Sequence, residues 1–176
     1  MPNKTVLIAL ALALALASGL SSETVTITLV QNEKAPSIAL EMSHAIEDAV
    51  FGRFYDAGHI ASNTDIRFDG SRYRERGFGV KEAAFGMSDF LLAVFAQYGP
   101  QEITDPAKKI TYAELDSIHW RLVRVTNGKT VDEGKLDVRK IPVTQSDPYL
   151  QARVDAEMVA DEALAAITST HEGSDR

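Results

Sequence analysis

Cysteine is absent from the 176-residue sequence. Its absence excludes disulfides, a thiol nucleophile, a thiolate metal site and a cysteine-linked lipid anchor. A domain without disulfides must be stabilised by its own hydrophobic core. The roughly 155 residues that follow the signal peptide predicted below are enough to bury one. If the protein is exported, the lack of disulfides fits a bacterial periplasm better than a eukaryotic secretory route.

Basic residues are also in short supply. The chain has 18 Lys and Arg against 25 Asp and Glu, and its formal net charge is −7. Nucleic acids and anionic lipids attract basic surfaces, so this balance argues against both as partners. We expect no nucleic-acid partner.

No apolar run reaches the length of a membrane-spanning helix. The longest run, residues 6–17, follows Lys4 and has about 12 residues, whereas a span needs about 20. The run ends at an Ala-x-Ala site, so we predict that residues 1–22 are a signal peptide, cleaved after Ala17 or near Ser22. The expected product is periplasmic or secreted, has no membrane anchor, and carries a charge of 17 − 25 = −8 without Lys4. An uncleaved anchor is the alternative.

The first half of the remaining chain predicts a strand, a helix and a strand. Residues 23–30 alternate apolar and threonine side chains, which indicates a strand. Residues 37–58 have apolar side chains at steps of three and four, which indicates a helix, and residues 59–63 follow as a short strand. Glu47 and the other acids of this helix fall off its apolar stripe. The stripe consists of Ile38, Met42, Ala45, Ile46, Ala49, Val50 and Phe54.

The second half predicts more strands. Residues 88–98 have a continuous apolar run, residues 90–96, at their centre, as in a central strand that ends at Gly99-Pro100. In residues 110–126 the apolar phase changes, which suggests a bulge. Asn127-Gly128 is a strong hairpin signal, so residues 129–138 should return as an antiparallel partner.

A final helix, capped by Ser146 or Asp147, should bury a stripe of Leu150, Val154 and Met158, which Leu164 and Ile167 continue weakly. These elements predict an α/β (α+β) fold, with a single mixed β-sheet of about five strands and two to three helices packed mainly on one face. We assign residues 23–140 to this domain and residues 141–176 to its C-terminal helix and frayed tail.

No catalytic or cofactor-binding motif is present. Asp116, Ser117 and His119 lie close together in the sequence, and a hydrolase built on them is conceivable, although no Gly-x-Ser-x-Gly turn accompanies them. His44 could contact Asp48 on the long helix, but it lacks the ligand spacing of a metal site. We therefore expect no cofactor, no metal and no catalytic centre.

The most suggestive stretch is residues 67–78, which we call the 67–78 segment. Arginine and aromatic residues are enriched in protein–protein hot spots, and four arginines within twelve residues are unusual on an acidic protein. The alternative is a solvated loop whose arginines pair with Asp65, Asp69 and Glu75. The partner-binding candidates are Arg67, Phe68, Arg72, Tyr73, Arg74, Arg76 and Phe78.

The order of elements and two short motifs resemble bacterial envelope proteins built like the TolB amino-terminal domain, including curli-secretion and penicillin-binding-protein-activator lipoproteins. Residues 86–92 are similar to the family's Gly-Ala-Asp-Tyr-Leu-Leu stretch, and residues 122–128 to its Leu-Val-Asp-Val-x-x-Gly stretch, with Arg124 where an acid is usual. The resemblance covers residues 24–138. The matching positions are Gly86, Asp89, Leu91, Leu92, Leu122, Val123, Val125 and Gly128.

The resemblance implies an accessory or binding protein of a two-membrane cell envelope, without a catalytic centre. We therefore predict an exported, non-catalytic protein that acts by contact with another envelope protein. Two alternatives stay open. One is the small secreted hydrolase described above, and the other is a periplasmic carrier with a small-ligand pocket between the long helix and the sheet.

Overall fold

A computed structural model describes residues 22–172. The predicted signal peptide and the end of the tail lie outside these residues, apart from Ser22. The described part of the chain contains five strands and three α-helices: β1 (Thr24–Gln31), α1 (Ala39–Asp56), β2 (Ile60–Asn63), α2 (Val80–Phe85), β3 (Phe90–Asp105), β4 (Ile110–Arg124), β5 (Lys129–Asp137) and α3 (Pro148–Glu172). The strands form one mixed sheet, which confirms the predicted fold class.

The sheet has the order β2-β1-β3-β4-β5. β1 pairs in parallel with both β2 and β3, as the strand–helix–strand pattern predicts for β2. β3, β4 and β5 are antiparallel neighbours. Gly128 has a φ of +64° in the turn between β4 and β5, which is why this hairpin carries glycine there.

β1 is buried on both faces. Val25, Ile27 and Leu29 point into the main core beneath the helices. Thr26 and Thr28 point the other way and are also buried. Their hydroxyls therefore need partners, and Ser88 and Thr64 provide them at 2.7 Å and 3.1 Å.

The connection from β1 to β2 and the connection from β2 to β3 lie on opposite faces of the sheet. β2 is on one side of β1 and β3 is on the other, so right-handed crossovers place their connecting segments on opposite faces. α1 covers one face, together with α3. The chain from residue 64 to residue 89, which includes α2 and the 67–78 segment, covers the other.

α1 buries most of its predicted stripe, including Met42, Ile46, Val50 and Phe54. Glu47 is an exception to the prediction, because it is buried rather than off the stripe. Burial raises the pKa of Glu47, since a low-dielectric environment disfavours the charged carboxylate.

α3 packs against α1 and the sheet, and in its first half the packed face differs from the predicted one, whereas Leu164 and Ile167 of the predicted stripe do pack against the core. Leu150 and Met158, two members of the predicted stripe, are 50% and 41% exposed. Small side chains let α3 approach its neighbours closely, and so the alanine-rich face is the one that packs. The buried face consists of Ala152, Ala156, Val159, Ala160, Ala163, Ala166 and Ile167.

The capping prediction for α3 is confirmed. Asp147 accepts hydrogen bonds from the backbone N–H groups of Tyr149 and Leu150 through Oδ1. These bonds satisfy two of the free donors of the first helical turn.

The antiparallel strands contain the predicted bulge and continue beyond the predicted limits. The pairing of β4 with β5 shifts between Leu122 and Val123, where the apolar phase changes in the sequence. β3 does not stop at Gly99-Pro100 and continues to Asp105 after irregular pairing with β4. Residues 102–105 pair with residues 110–113 and form a long β3–β4 arm.

The 67–78 segment is fastened to the sheet by its own small core. Tyr73 and Phe78 are buried with Val30 and Ala93. The ring of Tyr73 stacks on Phe95 with 5.3 Å between centroids. The segment is therefore a packed layer rather than a solvated loop.

A carboxylate joins the starts of β1 and β3. Asp89 Oδ2 accepts hydrogen bonds from Thr24 Oγ1 at 2.6 Å and from Thr24 N at 2.9 Å. In return, the Asp89 N–H donates to the Thr24 carbonyl oxygen at 2.9 Å. These bonds to Thr24 hold the pKa of Asp89 below its usual range. They give a physical role to the aspartate of the TolB-like motif.

We expect Gly70→Ala to lower the free energy of unfolding by about 1–3 kcal/mol, because an overpacked site forces its neighbours to move. A Cβ at this position would lie 2.6 Å from the Phe95 ring and 3.2 Å from backbone atoms. The control is Gly52→Ala in α1, where the Cβ meets nothing within 4 Å. This change should stabilise the protein by about 0.5–1 kcal/mol, since alanine favours helix. Urea unfolding measures both, and equal effects would contradict the described packing.

We expect Asp89→Asn to lower the free energy of unfolding at pH 7 by about 1 kcal/mol, because it removes a charge-assisted acceptor. The folded pKa of Asp89 is below the unfolded one. Its contribution is therefore complete above the unfolded pKa and is lost as the pH falls through the folded pKa. The gap between variant and wild type should close below about pH 4. Asp65→Asn, at an exposed position, is the control, and a gap independent of pH would refute this account.

Candidate functional site

The 67–78 segment has an inner layer and an outer layer. Tyr73 and Phe78 belong to the inner layer and are less than 8% exposed, so neither can contact a partner in this structure. Arg67 is partly buried, with its guanidinium between the Phe78 ring and Asp69. The outer layer consists of Phe68, Arg72, Arg74 and Arg76. The structure thus divides the seven predicted residues into three that hold the segment and four that it presents to solvent.

Arg67 is held by backbone hydrogen bonds, by an ion pair and by the contact of its guanidinium with an aromatic ring. Its N–H donates to the carbonyl oxygen of Leu29 at 2.9 Å, and its own carbonyl accepts from Gln31 N at 2.8 Å. Its guanidinium lies over the Phe78 ring, 4.4 Å from the centroid, and pairs with Asp69 at 2.7 Å. The hydrogen bonds from Arg67 keep the pKa of Asp69 low. This arginine therefore anchors the segment to the end of β1.

Arg121 is a second anchor, which the sequence analysis did not identify. Its Nη2 donates to the carbonyl oxygen of Tyr73 at 2.8 Å, and its guanidinium lies 5.3 Å from the centroid of the Tyr73 ring. The sequence could have indicated this position. Arg121 lies between Trp120 and Leu122 on β4, and in a strand a residue between two core side chains points to the opposite face of the sheet.

The outer arginines differ in their pairing. Arg72 pairs with Asp69 at 3.5 Å and with Glu75 at 3.2 Å. Within residues 22–172, neither Arg74 nor Arg76 forms an ion pair with an acidic side chain. The pairing predicted for a solvated loop therefore applies to Arg72 but leaves two exposed positive charges uncompensated.

The positive surface extends onto β4 and β5. His119 is half-buried next to the segment, with its ring 5.8 Å from that of Phe95. Lys135 is its register partner on β5. Burial, and then the positive charges of Lys135 and Arg74, lower the pKa of His119, so its imidazole is neutral at neutral pH. This part of the sheet can favour an anionic group.

Two of the three residues of the conceivable hydrolase are brought together. Ser117 Oγ lies 3.3 Å from His119 Nε2. Asp116 is the extra residue at the register shift of β4, and its carboxylate lies 3.6 Å from Arg139. Among the described residues, no carboxylate hydrogen-bonds to His119, and Ser117 is only 5% exposed. The arrangement lacks both the orienting acid and the accessible nucleophile of a hydrolase triad.

The remaining histidine of interest lies on α1. His44 Nδ1 is 3.7 Å from Glu47 Oε2, so its contact is with Glu47 and not with Asp48 as expected. In residues 22–172, no three His, Asp or Glu side chains are grouped closely enough to hold a metal ion. No helix in the same part of the chain is both long and apolar enough to cross a membrane.

Solved structures with a similar fold come from bacteria. The dodecamer of PelC from Paraburkholderia phytofirmans is 11% identical with a TM-score of 0.49, over 84% of this chain and 88% of that one. The lipoprotein GNA1162 from Neisseria meningitidis is 15% identical with a TM-score of 0.48, over 80% and 98%. TolB from Acinetobacter baumannii is 12% identical with a TM-score of 0.40, over 86% of this chain and 30% of TolB.

At these identities the similarity concerns the fold alone. A search of curated proteins finds no match to the chain. A family model described as "Uncharacterised protein" matches residues 24–168, which is most of the chain, and the chain therefore belongs to that family.

Proposed function

We propose that this protein is an exported, non-catalytic accessory protein of the bacterial cell envelope, which binds an acidic segment of another envelope protein. The binding surface is the outer layer of the 67–78 segment, made of Phe68, Arg72, Arg74 and Arg76. The observation that carries this proposal is the exposure of Arg74 and Arg76, which pair with no acid of the described part of the chain, on a protein of net charge −7.

Rigid support strengthens the proposal. Binding costs less when the contact residues are already held in place, because less conformational freedom is lost on association. Tyr73, which is buried, lies in the sequence between the exposed Arg72 and Arg74 and holds this turn in place. Arg121 fixes the same turn through the Tyr73 carbonyl oxygen.

The chemistry of the surface supports an acidic and partly apolar partner. Phe68 is 53% exposed and belongs to the same short segment as the exposed arginines. An aromatic ring with neighbouring arginines is the composition of a protein–protein hot spot. Lys135 beside His119 extends the positive field and would favour the approach of carboxylates.

The export route belongs to the proposal as well. Residues 1–22 would direct the chain to the periplasm or the exterior and be removed. Residues 23–140 would form the α/β domain, and residues 141–176 would add its last helix and tail. Contact with a second envelope protein would then be the molecular activity of the exported domain.

The test is co-purification from cells. The protein, tagged at its C-terminus, is cross-linked in intact bacteria and isolated with whatever is bound to it. We expect Arg74→Gln with Arg76→Gln to reduce partner recovery about tenfold or more, because two charge contacts worth of the order of 1 kcal/mol each are removed. Quantitative mass spectrometry measures the recovery.

The matched control is Arg139→Gln with Lys140→Gln. These are also two exposed cations close together in the sequence, at 64% and 81% exposure, but they lie beyond the end of β5. Both double variants change the net charge by the same amount. Equal partner recovery in both, or recovery of no envelope protein by the wild type, would show the proposal to be wrong.

A further inference from the structure

A cavity of about 260 Å³ lies on the helical side of the sheet, away from the 67–78 segment. It opens between the first turns of α3 and the outer half of the β3–β4 arm. Its size is slightly below the roughly 300 Å³ at which ligand pockets begin. Its apolar walls include Met42, Ile103, Ala113, Leu115, Val138 and Ala152.

The linker between β5 and α3 closes one side of this cavity and is held there by Gln151. The side-chain oxygen of Gln151 accepts hydrogen bonds from Thr144 N at 2.7 Å and from Gln145 N at 2.9 Å. Lys108, on the β3–β4 arm, donates through Nζ to the carbonyl oxygen of Ser146. These hydrogen bonds make the linker one wall of the cavity.

Asp155 lies in the wall of the cavity and is completely buried. Its Oδ1 accepts a hydrogen bond from Gln151 Nε2 at 2.8 Å, so the amide that holds the linker also orients the carboxyl group. Its Oδ2 has no hydrogen-bond partner among the described residues. A buried polar atom without a partner costs about 1–3 kcal/mol, which a ligand could recover by supplying that partner.

The charges around the cavity indicate which partner fits. Burial raises the pKa of Asp155, which shows how little the surroundings do to compensate its charge. Glu114 is a second carboxylate of the wall. Among residues 22–172 the one cation of the wall is Lys108, whose ammonium is already engaged by Ser146 O and by Asp105 at 3.5 Å. The polar group of the wall that lacks a partner is therefore a hydrogen-bond acceptor.

We propose that this cavity binds a small organic amine, with the ammonium group donating to Asp155 Oδ2 and the apolar body packed against Met42, Ile103 and Leu115. A cation satisfies the orphan oxygen and compensates the buried charge, and the apolar walls favour a hydrocarbon body over a hydrated ion. This site is independent of the proposed protein-binding surface, because it lies on the opposite face of the sheet.

The test is an NMR titration of the purified full chain with three probes of the same shape. 2-Phenylethylamine is the cation, 2-phenylethanol the neutral analogue and 3-phenylpropionate the anion. We expect the amine to bind at least tenfold more tightly than the alcohol, because only the cation compensates Asp155, and the anion not to bind. The shifted amide signals should belong to residues 112–115 and 151–155.

Asp155→Asn should weaken amine binding tenfold or more while leaving binding of the alcohol unchanged. Glu157→Gln, two residues further along α3 and outside the cavity wall, should bind the amine like the wild type. Ala152→Leu, which fills the cavity, should abolish binding of both probes. If Asp155→Asn fails to fold, the mapped signals of the wild type decide the question. Equal affinity for amine and alcohol, or shifts confined to other residues, would overturn the proposal.

Discussion

The burial of β1 on both faces is the constraint on which the rest of the structure depends. A strand in the middle of a parallel arrangement presents half of its side chains to each side, and both halves must be removed from water. One half is apolar and lies under α1, whereas the other carries Thr26 and Thr28, whose hydroxyls are paired by Ser88 and Thr64. The 64–89 connection has to cover this second half. It is for this reason that the arginine-rich segment is packed on the sheet.

This origin explains how one stretch can be both structural and available for binding. Covering β1 requires buried side chains on the inner side of the segment, which Tyr73 and Phe78 supply. The remaining arginines then project outward because the same turn cannot bury their charges without partners. A surface formed in this way is held rigid by the core beneath it, which is the property that a contact site needs. The same packing argues against the hydrolase alternative, because Ser117 lies on this covered face and is itself buried.

On the helical side of the sheet, small residues determine how closely the helices and strands pack. The alanine face of α3 allows close packing on α1 and β4, and Gly134 makes room for the Trp120 ring, which donates to Glu162 at 2.9 Å. The space between the β3–β4 arm and the first turns of α3 is lined by Gln151 and Asp155.

The sequence by itself determined the elements whose signals are local. Periodicity located α1 and the strands, Asn127-Gly128 located the hairpin, a change of phase located the bulge at Leu122, and Asp147 located the start of α3. Tertiary structure alone decided which face of α3 is buried, which aromatics of the 67–78 segment are interior, and that Asp155 would line a cavity. These outcomes depend on the distances between elements far apart in the chain, and such distances leave no periodic trace in the residues themselves.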